Sequence, residues 1–182
     1  MKKLYPRKSK PKRFKDYYIS IMKMVTVSTI AVDRQIYPLI SDVIRSTTKT
    51  LCLAFFQMTL DEKHLVGLPL NIYSSLKSRK DDGVNIRVIL NQKFANAIQK
   101  ELNSRTLKLL RNTGIDIKWA DPKRVLHTKL IISDGEKAVL GSMNMTVTSL
   151  VDNREVAVYI CSPLVKQILV PYFEEIWQRS VN

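Results

Sequence analysis

Short runs of β-branched and aromatic residues alternate along this chain with segments whose apolar positions recur at helical spacing, and that alternation excludes most folds. Strands are predicted over residues 24–30, 51–58, 84–90, 115–120 and 154–161. Between them, Ile36, Leu39, Ile40, Val43 and Ile44 mark one helix, which Asp33 could cap and whose first turn must hold Pro38. Residues 70–78 read as a second helix, ended by the turn Lys80-Asp81-Asp82-Gly83, and residues 95–111 as a third, with Gly114 just past its end. A last helix starts near Pro163. Its stripe of Val165, Ile168, Leu169, Phe173, Ile176 and Trp177 reads as core, and Pro171 should kink it. Strands alternating with helices give crossovers that are right-handed and a sheet covered on both faces. The expected fold class is α/β, with a mixed, largely parallel β-sheet and helices on both faces.

One stretch departs from the alternation. Residues 125–145, VLHTKLIISDGEKAVLGSMNM, place two apolar runs around Asp134-Gly135, a dipeptide that favours the left-handed conformations of a hairpin turn. His127 and Lys129 are two apart, so in a strand imidazole and ammonium stand on one face. An even-numbered loop pairs odd positions with even ones and brings Ser142 and Asn144 to that face, whereas a three-residue loop sends them to the other. The proposed cluster depends on that parity. Gly141 would let a ligand approach the backbone closely.

The 182 residues suffice for one domain with a sizeable core. Lys+Arg 30 against Asp+Glu 16 gives a formal net charge of +14, which predicts a polyanionic partner, either nucleic acid or an acidic membrane surface. Many of those cations fall in residues 1–15, beside Pro6 and Pro11 and with no acid, so residues 1–23 are expected to form a basic, flexible arm and residues 24–182 the folded domain. Such an arm can bind phosphates without sequence preference. Cys52 and Cys161 sit in apolar, strand-like runs without zinc spacing, which fits reduced thiols in a cytoplasmic protein. Residues 17–32 are interrupted by Lys23 and are short for a membrane span, so they read as a linker into the first strand. His64 lacks a lysine two positions on and reads as a surface residue.

His127, Lys129, Asp134, Gly141, Ser142 and Asn144 together spell H-x-K-x4-D-x6-G-S-x-N, which resembles the signature of the phospholipase D superfamily. The order of elements over residues 24–179 also resembles the small, single-motif nucleases of that superfamily. The resemblance implies an α/β/α sandwich in which two motifs meet at one active site. Only one motif is present here, so it implies a homodimer with the site on its two-fold axis. His127 of one subunit would then be the nucleophile that forms a phosphohistidine, and His127 of the other the general acid. Lys129, Asn144 and Ser142 match positions that hold phosphate oxygens. Asn153-Arg154-Glu155 resembles the family's downstream N-x-E, whose acid hydrogen-bonds the histidine, so Glu155 joins the catalytic set. Asp134 and Gly141 take structural roles. No metal or other cofactor is needed in this scheme, because Lys129 supplies the cation.

The reading that follows is a metal-independent phosphodiesterase, an endonuclease acting on DNA or RNA with little sequence specificity. A phospholipase D or phosphatidyltransferase acting on phospholipid is the second reading, although such relatives usually carry two motifs and no membrane helix stands out here. A nucleic-acid-binding protein with a lapsed site is the third.

Overall fold

In the computed structural model the described residues are 27–60, 66–93 and 96–182. The basic arm and His64 lie outside them. Seven strands form one sheet: β1 (Val27–Val32), β2 (Thr50–Phe55), β3 (Asn85–Leu90), β4 (Asp116–Trp119), β5 (Lys129–Ser133), β6 (Lys137–Gly141) and β7 (Val156–Cys161), in the spatial order β1-β7-β6-β5-β2-β3-β4. β2, β3 and β4 run parallel, joined by helices α2 (Gly67–Asp81) and α3 (Ala97–Asn112). The other neighbouring pairs are antiparallel. The sheet is mixed, as expected, but not largely parallel: parallel pairing is confined to β2, β3 and β4, because the motif hairpin and its neighbours pair antiparallel.

Alternation along the strands sorts the core into two layers. On one face Leu51, Leu53 and Phe55 of β2 and Ile86, Val88 and Leu90 of β3 pack with α1 (Ile36–Ser46), α2 and α3, through Ile40, Ile44, Leu76 and Leu110 among others. Intervening residues Cys52, Ala54, Ile89, Leu130, Ile132 and Ala138 face the other way, against Val165 and Phe173. That second layer is a π-helical turn (Val165–Leu169) running into α4 (Val170–Arg179), with Pro171 in the first turn of α4. The wider turn shifts the apolar stripe out of phase, so Val165 and Phe173 are buried while Ile168 is exposed. Arg87 clamps α4 to the sheet. Its guanidinium lies 5.3 Å from the centroids of both Phe173 and Trp177 and donates to Glu174 at 2.8 Å.

The motif hairpin has a different register from the one the site was expected to need. Asp134 (φ 53) and Gly135 (φ 70) adopt the left-handed conformation, and Glu136 N donates to Ser133 O at 3.1 Å. Pairing resumes, however, with Ser133 opposite Lys137 and Ile131 opposite Val139, so odd positions face odd ones across a three-residue loop. By parity Ser142 and Asn144 are not on the face of Lys129. β6 ends at Gly141, before they are reached, and β5 begins only at Lys129, so His127 precedes it.

Asp134 holds this register through contacts remote in sequence. Its carboxylate accepts from Thr48 N at 3.0 Å, Lys49 N at 2.7 Å, Thr50 N at 3.0 Å and Thr48 Oγ1 at 3.1 Å, while its own N–H donates to Thr50 O at 2.8 Å. Partial burial raises the carboxyl's pKa, and these donors more than offset it, so the net direction is down. A depressed folded pKa contributes stability that is complete above the unfolded value, about pH 4, and is lost as pH falls through the lower folded value. Asp134→Asn should cost about 2 kcal/mol near neutrality, because an amide N–H₂ replaces an acceptor facing Thr48 N–H. The loss should shrink below about pH 4, and thermal melts of both proteins across that range would reveal a constant difference if the carboxylate were unimportant.

Candidate active site

The motif residues converge where strands end and chains leave the ladder. His127 is exposed on the approach to β5. Lys129, the first residue of β5, is buried at 7% exposure, and its Nζ donates to His127 O at 2.8 Å and lies 3.3 Å from both imidazole nitrogens. Phe56, just past β2, closes the pair: its ring centroid is 5.3 Å from that of His127 and 5.6 Å from Lys129 Nζ. Burial pushes the Lys129 ammonium below the usual lysine range, and the Glu155 charge pulls it part of the way back. No carboxylate forms a salt bridge with it among the described residues.

After Gly141 the chain crosses the sheet end. Ser142 N donates to Val156 O at 3.0 Å, Met143 and Met145 enter the core, and Met145 N donates to Gln57 O at 3.0 Å beyond β2. Thus the crossing carries Ser142 and Asn144 along the rim on which β2 ends and β5 begins, which in-plane register alone would not do. Asn144 N donates to Ser149 Oγ at 2.8 Å, and Asn144 Oδ1 is buried with no hydrogen-bond partner, an unusual state for an amide.

Glu155 ties this rim together. Its carboxylate accepts from Ser149 Oγ at 2.6 Å, from Asn153 Nδ2 at 3.4 Å and from Ser142 Oγ. Partial burial raises its pKa, but those hydrogen bonds and the Lys129 charge outweigh burial, so the group is held below the usual glutamate range. The expected hydrogen bond from the His127 ring to the Glu155 carboxylate does not form within this chain, where the carboxylate accepts from the Ser142, Ser149 and Asn153 side chains instead. At Gly141 a Cβ would stand 2.3 Å from Val156 O and 2.8 Å from Ala157 Cα, so the glycine lets strand β7 approach closely.

Several supporting residues escaped the sequence reading. Asp33 does not cap α1; at φ 50 its carboxylate instead accepts from Glu155 N at 3.0 Å and Arg154 Nη1 at 2.6 Å, holding the N-x-E segment in place. Asn103 on α3 accepts from Met58 N and donates to Phe56 O and Asn91 O, each at 3.0 Å, and Asn91 Oδ1 accepts from Leu126 N at 2.9 Å. These amides satisfy backbone that has left the sheet and set Phe56 and His127 side by side. Only an interruption of the apolar pattern on α3 could have hinted at them.

Among the described residues no three His, Cys, Asp or Glu side chains are grouped to hold a metal ion, and no helix is long and apolar enough to cross a membrane. The rim offers instead a buried cation, an exposed imidazole and hydroxyl and amide groups, a set suited to a phosphoryl group.

Comparison with known proteins bears on the family. Residues 40–177 match the model described as cardiolipin synthase, phospholipase D-like domain. The chain is 28% identical over 150 residues to phospholipase D Z of Dictyostelium discoideum, covering 77% of this chain and 35% of that protein. It is also 28% identical over 146 residues to the virion nicking-joining enzyme of vaccinia virus (strain Western Reserve), covering 78% of this chain and 33% of the enzyme. This chain thus spans about a third of the length of these relatives. In fold it is similar to Nuc from Salmonella typhimurium, a phospholipase D family member, with a TM-score of 0.69 at 18% identity over 84% of this chain and 95% of that one. A family match across most of the folded domain, on an α/β sheet whose strand ends gather His127, Lys129, Ser142, Asn144 and Glu155, means that the chain belongs to the phospholipase D superfamily.

Proposed function

We propose that this chain is a metal-independent phosphodiesterase that hydrolyses nucleic acid, DNA or RNA, with little sequence specificity, at a site shared by two copies. The observation that carries the reading is the buried Lys129 ammonium, which lacks a carboxylate partner among the described residues and touches the imidazole of an exposed His127. A desolvated cation of that kind is costly unless an anion completes it, and a phosphodiester supplies both the anion and an electrophile for the imidazole.

His127 of one copy attacks phosphorus as the bond to the departing oxygen breaks, and protonated His127 of the second copy gives that oxygen its proton. Water then attacks the phosphohistidine, returning its proton to the second imidazole and freeing the first. Lys129 and Asn144 hold the nonbridging oxygens, with Ser142 beside them. Glu155 acts through Ser142 and Ser149, keeping the segment that carries Asn144 on the rim. A single copy offers one such imidazole, which is why the scheme uses a homodimer.

The net charge of +14 favours a polyanionic polymer, and the vaccinia relative's name describes an enzyme that nicks and joins. Phospholipid is the second reading, since phospholipase D Z and the cardiolipin synthase domain are also similar. An intracellular setting, with Cys52 and Cys161 as free thiols, belongs to the same proposal. Purified protein should cleave single-stranded DNA, duplex DNA or RNA in the presence of a chelator and leave phosphatidylcholine intact. Release of choline without cleavage of any nucleic acid would reverse the assignment.

A further inference from the structure

Beside His127 the surface opens into a cavity of about 580 Å³, between the approach to β5 and helix α4. His127 forms part of its wall, and the scheme above uses no other residue of its lining. We propose that this cavity receives one unpaired nucleobase next to the phosphate under attack, stacked on Tyr172. The inference rests on the nuclease reading and adds to it a preference for single strands.

Position is the first support. Tyr172 lines the cavity and its OH hydrogen-bonds Thr128 Oγ1 at 2.8 Å, and Thr128 lies between His127 and Lys129 in sequence. The ring therefore sits against the segment that holds the proposed nucleophile. It is also braced: α4 is fixed to β3 by the Arg87 clamp through Phe173, the neighbour of Tyr172, and through Glu174. A ring anchored at both ends loses little freedom when a base stacks on it. Yet it remains 42% exposed.

Charge is the second support. Four charged residues line the cavity, Arg124, Arg179, Asp121 and Glu175, and they cancel. Glu175 pairs with Arg179 at 2.9 Å, and Asp121 accepts from Lys123 N at 2.8 Å. A cavity for phosphate would be cationic. A neutral one with an aromatic wall, apolar Ile176 and fixed donors and acceptors suits the uncharged part of a nucleotide, while the phosphate goes to Lys129. A few hundred cubic ångströms admit a base but not a duplex, and a paired base must first leave its stack. Single strands need no such step.

The test uses the full chain carrying His127→Ala, so that binding is read without cleavage, and oligonucleotides with 2-aminopurine at successive positions. Stacking on Tyr172 should quench 2-aminopurine in the bound single strand. Tyr172→Phe keeps the ring and should keep the quench; Tyr172→Leu should abolish it and weaken single-strand binding about tenfold, with duplex binding changed less than about twofold. In the enzyme with His127 restored, Tyr172→Leu should raise KM for single strands more than it lowers kcat. Equal quenching in the Leu and Phe variants, or equal losses on single strands and duplex, would overturn the subsite while leaving the nuclease reading intact. If the His127→Ala protein binds no nucleic acid at all but does bind vesicles of phosphatidylglycerol, and Tyr172→Leu weakens that binding, both fall and the cavity belongs to a lipid.

Discussion

His127→Ala should lower kcat by at least about four orders of magnitude while moving Tm by no more than about 2 °C. The rate effect is large because, in the proposed symmetric pair, one substitution would remove the nucleophile and the general acid together, and residues that act as a unit are lost as a unit. The stability effect is small because the imidazole is exposed and its contacts are the Phe56 ring and the Lys129 ammonium. Refolding the variant together with wild-type protein in equal amounts, so that subunits re-pair, separates a shared site from independent ones. Random pairing leaves about one quarter of the activity if each site needs both imidazoles, and about one half if each chain works alone. A result near one half would remove the homodimeric mechanism even if the variant itself were inactive.

Gly141→Ala should be the most damaging single-methyl change in the sheet, costing about 3 kcal/mol or more and lowering Tm by about 6–12 °C. The added carbon meets backbone, Val156 O at 2.3 Å and Ala157 Cα at 2.8 Å, so β6 and β7 must part or slide. Ser142 follows β6 directly and Glu155 immediately precedes β7, so activity should fall with stability. Gly135→Ala is the control: its Cβ would find Val170 Cγ2 at 3.8 Å, leaving only the strain of φ 70, worth about 1 kcal/mol. Equal melting temperatures for the two variants would mean that β6 and β7 are not paired in this register.

The elements were legible where periodicity was strong. Ile36, Ile40, Val43 and Ile44 are buried on α1 as their spacing predicts, and β2 and β3 fall within two or three residues of their expected limits. The hairpin register was not legible, and the cause is physical. Asp134-Gly135 favours a two-residue turn locally, but Asp134 is bound by Thr48, Lys49 and Thr50, and contacts so remote in sequence leave no local trace. Parity then placed Ser142 and Asn144 on the wrong face, and they reach the rim only because the chain leaves β6 to meet Gln57. Asp33 looked like a cap because a cap needs only local sequence, whereas its partners Arg154 and Glu155 belong to the other end of the chain.

The Asn103 bridge has a thermal consequence. Phe56, Met58 and Asn91 lie beyond the strand ends, and one amide from α3 holds Phe56 O, Met58 N and Asn91 O together, so the rim should behave as a separate cooperative unit resting on an already closed sheet. Such a unit opens at lower free energy than the ladder beneath it. On warming, the catalytic rim should loosen first, and the protein should become idle before it melts.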